Sequence, residues 1–151
     1  MGWPGPDPEA RLEQAIDRFH DGDVPGAEKA LRELVDVGYR CAEVVLYLAH
    51  CALAGERVGE ALLLYREARR LEPDRPDACL GLAIVAARRL HFARGIRLLE
   101  RAVRLDPGLQ EAYDNLILCH AALGQHEAAE RAYERSVAID PASPHPYYNA
   151  G

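Results

Sequence analysis

Four cysteines and six histidines are the residues of this 151-residue chain whose side chains best suit metal or nucleophile chemistry. Two pairs are adjacent, His50-Cys51 and Cys119-His120. Zinc takes such ligands, but it needs several of them converging on one tetrahedral site. Neighbours on a helix point about 100° apart, no third ligand stands at a suitable spacing, and no C-x-x-C pair occurs. No metal or other cofactor is therefore expected. Cys41, Cys51, Cys79 and Cys119 read instead as packed thiols of a reducing compartment, which makes the cytoplasm the expected location. Ser136 and Ser143 are the only serines, neither with a legible His/Asp arrangement. No glycine-rich phosphate loop, G-x-S-x-G or H-E-x-x-H occurs. An enzyme is not expected.

Charge narrows the partners. The net charge is −6, unevenly spread: −4 over residues 1–41, −1 over 42–75, +3 over 76–109 and −4 over 110–151. Arg94, Arg97, Arg101 and Arg104 fall on one helical face of the positive segment. They read first as a solvated face with pairs such as Glu100–Arg104, and second as a surface for an acidic partner. No aromatic residues interleave with them, so nucleic acid is not an expected partner. The longest apolar stretch, about Cys79 to Ala87, is too short to span a bilayer, and no membrane is expected. Seventeen arginines against the single Lys29 suggest a GC-rich bacterial genome.

The elements carrying these residues are short helices, with low aromatic content and no apolar/polar alternation for strands. The stretch Leu109–Ser143 shows the unit. Tyr113, Leu116, Ile117 and His120 recur at i, i+3, i+4, i+7; Ala129, Tyr133, Ser136 and Val137 repeat that rhythm. Gly124 breaks the pattern between the two helices and Pro141 ends it. The unit returns every 34 residues: Pro73, Pro107, Pro141; Ala61, Gly95, Ala129; Tyr65, Leu99, Tyr133; Leu48, Leu82, Leu116. In the first helix Leu12, Ala15, Ile16, Phe19 and Gly22 match Val45, Leu48, Ala49, Ala52 and Gly55 at 33, predicting one extra residue in the turn after Gly55. Helices are predicted near 42–54, 58–71, 76–89 and 92–105, and a helix from Pro25 to Val37 is closed by Gly38. Leu90 stands where a turn glycine is usual, and Gly95 where alanine is.

This order of aromatic, Leu, small residue, Gly, Ala, aromatic and Pro at a period of 34 resembles the tetratricopeptide repeat. The resemblance covers residues 9–151 and implies an all-α, right-handed solenoid of antiparallel helix pairs. It would consist of a flexible lead (1–8), four repeats (9–41, 42–75, 76–109, 110–143) and the truncated start of a fifth (144–151). Tyr65, Tyr133, Leu82 and Leu116 are expected between the helices, with Leu82→Ala costing roughly 2–5 kcal/mol. An array without a polar end helix is expected to self-associate through its open end.

Arrays of this family line a concave face with the first helix of each repeat, so the resemblance implies a role as a protein-interaction scaffold. The groove residues would be Glu43, Leu46, His50 and Leu53 from the second repeat, and Asp77, Leu80 and Ile84 from the third. The fourth would give Glu111, Asp114 and Leu118, and the first, in its shifted register, Glu13, Asp17, His20 and Asp21. An apolar strip bordered by carboxylates fits a peptide or helix of a partner protein, apolar with basic flanks. A chaperone shielding an apolar segment, or a regulatory region of a longer enzyme, are the alternatives. The carboxylate-clamp subfamily does not fit: its positions hold Leu46, His50, Gly81, Glu111 and Asn115 in place of the basic and amide groups required.

Overall fold

The computed structural model describes Gly5 and residues 7–142. Within them lie eight α-helices and no strand. They are α1 (Pro8–His20), α2 (Val24–Asp36), α3 (Ala42–Ala54), α4 (Val58–Leu71), α5 (Pro76–Arg88), α6 (Phe92–Leu105), α7 (Gln110–Ala122) and α8 (His126–Ile139). The fold is an all-α helical repeat. The expected start of a fifth repeat, 144–151, lies outside the described residues.

Local chemistry accounts for the helix ends. Pro8, Pro25 and Pro76 sit in first turns, where a missing N–H costs nothing. Asp23 caps α2, its Oδ1 accepting from the Gly26 N–H at 3.0 Å. Asp7 begins α1 without a side-chain cap bond. Gly38, at φ 88°, closes α2 as its position suggests.

The turn inside each pair corrects the sequence reading. Four turns of three residues join α1–α2, α3–α4, α5–α6 and α7–α8, and their middle residues are Gly22, Glu56, Leu90 and Gly124. All four have positive φ, at 91°, 59°, 63° and 72°. Each turn is locked by the same backbone bond: Asp23 to Arg18, Arg57 to Ala52, His91 to Ala86 and Gln125 to His120, at 2.8–2.9 Å. The period is therefore 34 from the first helix onward, and no turn is longer than another. Gly55 suggested otherwise because it stands one residue before the left-handed position, which Glu56 occupies instead. In the corrected register Glu9, Leu12, Ile16 and Phe19 of α1 match Glu43, Leu46, His50 and Leu53 of α3.

The chain divides between Pro73 and Asp74 into two compact units, each of two helix pairs. Unit 1 packs Leu12, Ala15, Ala27, Leu31, Leu34, Val44, Leu48 and Cys51 into one core. Unit 2 packs Cys79, Leu80, Ala83, Ile96, Leu99, Ala102, Tyr113, Leu116, Ile117 and Cys119. Tyr65, Leu82 and Leu116 are buried as expected, whereas Tyr133 is only half-buried against the unit 2 core. Gly95 lets α6 approach closely: a methyl there would meet Cys119 Sγ at 3.4 Å and the Ala83 carbonyl at 3.5 Å.

Candidate partner-binding site

Helices α5 and α7 bring the unit 2 groove residues together. Glu111, Asp114 and Leu118 stand at i, i+3 and i+7 on α7, one face of the helix. Asp114 is fixed by the buried Ser136 hydroxyl, which donates to it at 2.7 Å. Ser136 occupies the place of Ala68 and Ala102 in the repeat. Glu111 is exposed as a residue, but its carboxyl is pushed above the ordinary range, first by partial burial and then by the negative charges of Asp114 and Asp77. Asp77 has the Arg75 guanidinium 3.9 Å away. The three carboxylates thus share one electrostatic environment beside Leu118, which is 37% exposed, and Ile84, which is half-buried. Leu80 is only 7% exposed and belongs to the core of its unit.

In unit 1 the groove position on α3 is filled by aromatic chemistry. Phe19 stands at the centre of a cluster, its ring 5.7 Å from His20, 5.6 Å from Tyr47 and 5.8 Å from His50. The His20 Nε2 and Tyr47 hydroxyl lie 3.2 Å apart, and His50 Nδ1 lies 2.6 Å from the hydroxyl of the buried Tyr65. His50 is thereby tied to α4. Leu46 has no exposed surface, while Glu43 and Leu53 are half-buried. The sequence reading missed Phe19 and Tyr47. Tyr47 precedes His50 by three residues on one face, and that spacing was legible; Phe19 was hidden by the assumed register of 33.

The remaining reactive groups are quiet. Cys51, Cys79 and Cys119 are buried and Cys41 is partly so, all as free thiols. Burial and the nearby Glu28 push the Cys51 thiol up to about 11, and burial raises that of Cys119. Among the described residues no three His, Cys, Asp or Glu side chains gather to hold a metal ion, and no helix is long and apolar enough to cross a membrane. On α6, Arg101 has Asp74 at 3.9 Å, and Glu100 and Arg104 form no ion pair among the described residues.

The sequence profile of the tetratricopeptide repeat matches residues 12–76 and 80–144. No curated protein sequence matches the chain. Among solved structures the chain resembles MamA, with a TM-score of 0.71 at 23% identity over 84% of this chain and 74% of that one. It also resembles a thermophilic tetratricopeptide protein of Thermus thermophilus, with a TM-score of 0.78 at 16% identity over 89% and 75%. A third is YrrB, described as having an unusual peptide-binding site, with a TM-score of 0.72 at 16% identity over 89% and 70%. With two profile matches spread over most of its length, the chain belongs to the tetratricopeptide repeat family.

Proposed function

We propose that this chain is a protein-interaction module that holds a peptide or helix of a partner on the face of its first-of-pair helices. The observation carrying this reading is the group Asp77, Glu111 and Asp114 beside the exposed Leu118. The Glu111 carboxyl, raised first by partial burial and then by the negative charges of Asp114 and Asp77, raises the free energy of the unbound surface when ionised. A cationic group between them would relieve that cost, and Leu118 and Ile84 would take an adjoining apolar side chain. The partner segment is therefore apolar with basic flanks. YrrB, and a Spaghetti (RPAP3) domain solved with an HSP90 peptide, support peptide binding as a use of this fold. The HSP90 peptide itself, SRMEEVD, is acidic at its end, the opposite of what Glu111 favours here.

The test uses the full chain and a fluorescein-labelled apolar peptide with lysines at both ends. Affinity should be around micromolar, since ordering a flexible segment offsets much of the contact energy. Leu118→Asp and Ile84→Asp should abolish binding with little loss of fold. Leu80→Asp is unsuitable, because burying a charge in the core would unfold unit 2. Neutralising Asp77 and Glu111 should weaken binding less, by an amount that shrinks as salt rises. Binding that survives both apolar-to-Asp changes but disappears on replacing Arg97 and Arg101 would overturn the assignment.

A further inference from the structure

On the opposite side of unit 2 the second-of-pair helices α6 and α8 stand apart over α7, leaving a cleft of about 320 Å³. Its floor is the core surface of Tyr113 and Leu116, and its walls include Val103 and Ala132. Arg131 and Arg135, four apart on α8, form one lip, and Glu100 stands on the other. Both arginines are exposed, and among the described residues neither has an ion-pair partner.

Unit 1 shows what this seam looks like when ion pairs bridge it. Two repeat periods earlier, Arg32 holds the place of Glu100, while Glu60 and Glu67 hold those of Ala128 and Arg135. There Arg32 reaches Glu60 across the α2–α4 seam at 2.9 Å, Arg57 reaches Glu28 at 2.8 Å, and Arg40 binds Glu67. In unit 2 none of these pairs can form: Ala128, Arg135 and Ile96 stand in place of the carboxylates Glu60, Glu67 and Glu28. The seam therefore opens onto its apolar floor, with two cations at its edge and one carboxylate facing them.

We propose that the α6–α8 cleft docks an acidic segment of a partner protein, one large apolar side chain entering the cleft and flanking carboxylates meeting Arg131 and Arg135. Charge complementarity selects this occupant. A guanidinium pair presents two donor forks to carboxylates, while the floor excludes water from an inserted side chain. The segment differs in sign from the one the Asp77–Glu111–Asp114 surface would hold, so the two surfaces would be distinguished by their ligands.

The test titrates the full chain with a fluorescein-labelled nonapeptide having a central Trp between runs of Glu and Asp, and with the same peptide carrying Lys in place of the acids. The acidic peptide should bind, and Arg131→Glu with Arg135→Glu should weaken it by about tenfold or more. Ala128→Trp, which fills the cleft but keeps both arginines, should weaken it comparably. Leu118→Asp should leave it unchanged while removing the lysine-flanked peptide, so failure here is separable from failure of the other surface. Thermal melts of each variant verify the fold; the arginine changes lie on exposed positions. The proposal is overturned if the acidic peptide does not bind, if it binds equally to the charge-reversed protein, or if Ala128→Trp leaves it intact. It is also overturned if single-stranded oligothymidylate binds through the same arginines more tightly than the peptide, which would make the site one for nucleic acid.

Discussion

The two units share one backbone plan and dispose of charge in opposite ways. In unit 1 the seam between α2 and α4 is spanned by Arg32, Arg57 and Arg40 with Glu28, Glu60 and Glu67. Burial alone would raise the Glu28 carboxyl, but hydrogen bonds and charge from Arg57 and Arg32 outweigh it and hold the group below the ordinary range. In unit 2 Glu111 is raised and Arg131 and Arg135 have no ion-pair partner among the described residues. The helices, turns and floor residues are nearly interchangeable between the two. A repeat thus leaves its exposed positions at liberty to serve either cohesion or recognition. Unit 1 spends them on cohesion, and unit 2 keeps charge available.

The largest effect should come from the shared floor, where the comparison predicts a graded difference. Leu48 and Leu116 hold the same repeat position, at 4% and 6% exposure. Truncation to Ala should cost roughly 2–5 kcal/mol in each case. Leu48 lies under the seam that the α2–α4 ion pairs bridge, so the void its loss leaves is the less open to water and belongs at the upper end. Leu116 borders the open cleft, where water can enter the space, and belongs at the lower end. Urea denaturation of the two variants measures both values. Equal costs, or the reverse order, would mean that the α6–α8 cleft is not open in solution.

A smaller effect tests the seam itself. Glu28 joins Arg57 and Arg32 with its side chain 19% exposed, while the arginines are 40% and 51% exposed. Solvent screening limits such a pair, so Glu28→Gln should cost about 1 kcal/mol at pH 7. Because the folded pKa of Glu28 lies below its ordinary 4.5, its contribution is present above that value and is lost as pH falls through the lowered one. The gap between wild type and Glu28→Gln should therefore close in acid. Glu100→Gln, with no ion-pair partner to lose among the described residues, should be nearly neutral at pH 7. A cost for Glu100→Gln equal to that of Glu28→Gln would erase the distinction between the units.

Much of this fold was legible because the repeat constrains the core, where Leu48, Leu82 and Leu116 or Ala61, Gly95 and Ala129 must fit one packing geometry. The helices predicted at 42–54 and 58–71 appear with those bounds. The register of α1 was misread because the left-handed turn position accepts Glu56 and Leu90 as well as Gly22 and Gly124. A non-glycine residue there costs about 1–2 kcal/mol, which the packed pair absorbs. Identity at the turn is therefore a weaker marker than the period. The candidate surfaces were less legible. Leu46 and Leu80 stand three residues after Glu43 and Asp77, as lining residues would, yet burial of helices apolar on every side removes both from the surface. The α6–α8 cleft had no signal in any single segment, since it arises only when Ala128 is set against Glu60 in its paired context.

The smallest effect separates cohesion from recognition at one carboxylate. Partial burial, then Asp114 and Asp77, raise the Glu111 pKa above its ordinary 4.5. A carboxyl raised on folding favours the folded state only while protonated. Its contribution is complete below 4.5 and is lost as pH rises through the raised value. At pH 7 the ionised Glu111 therefore weakens unit 2, and Glu111→Gln should be the more stable protein, by about 0.5 kcal/mol or less after screening. Below pH 4.5 the two should melt together. This is the opposite pH dependence from Glu28→Gln, which loses stability at pH 7. If Glu111 is retained for recognition, the variant that is more stable should also bind the lysine-flanked peptide more weakly, most visibly at low salt. A Glu111→Gln protein that is more stable and binds as tightly as wild type would mark Glu111 as mere strain, with no part in recognising a basic flank.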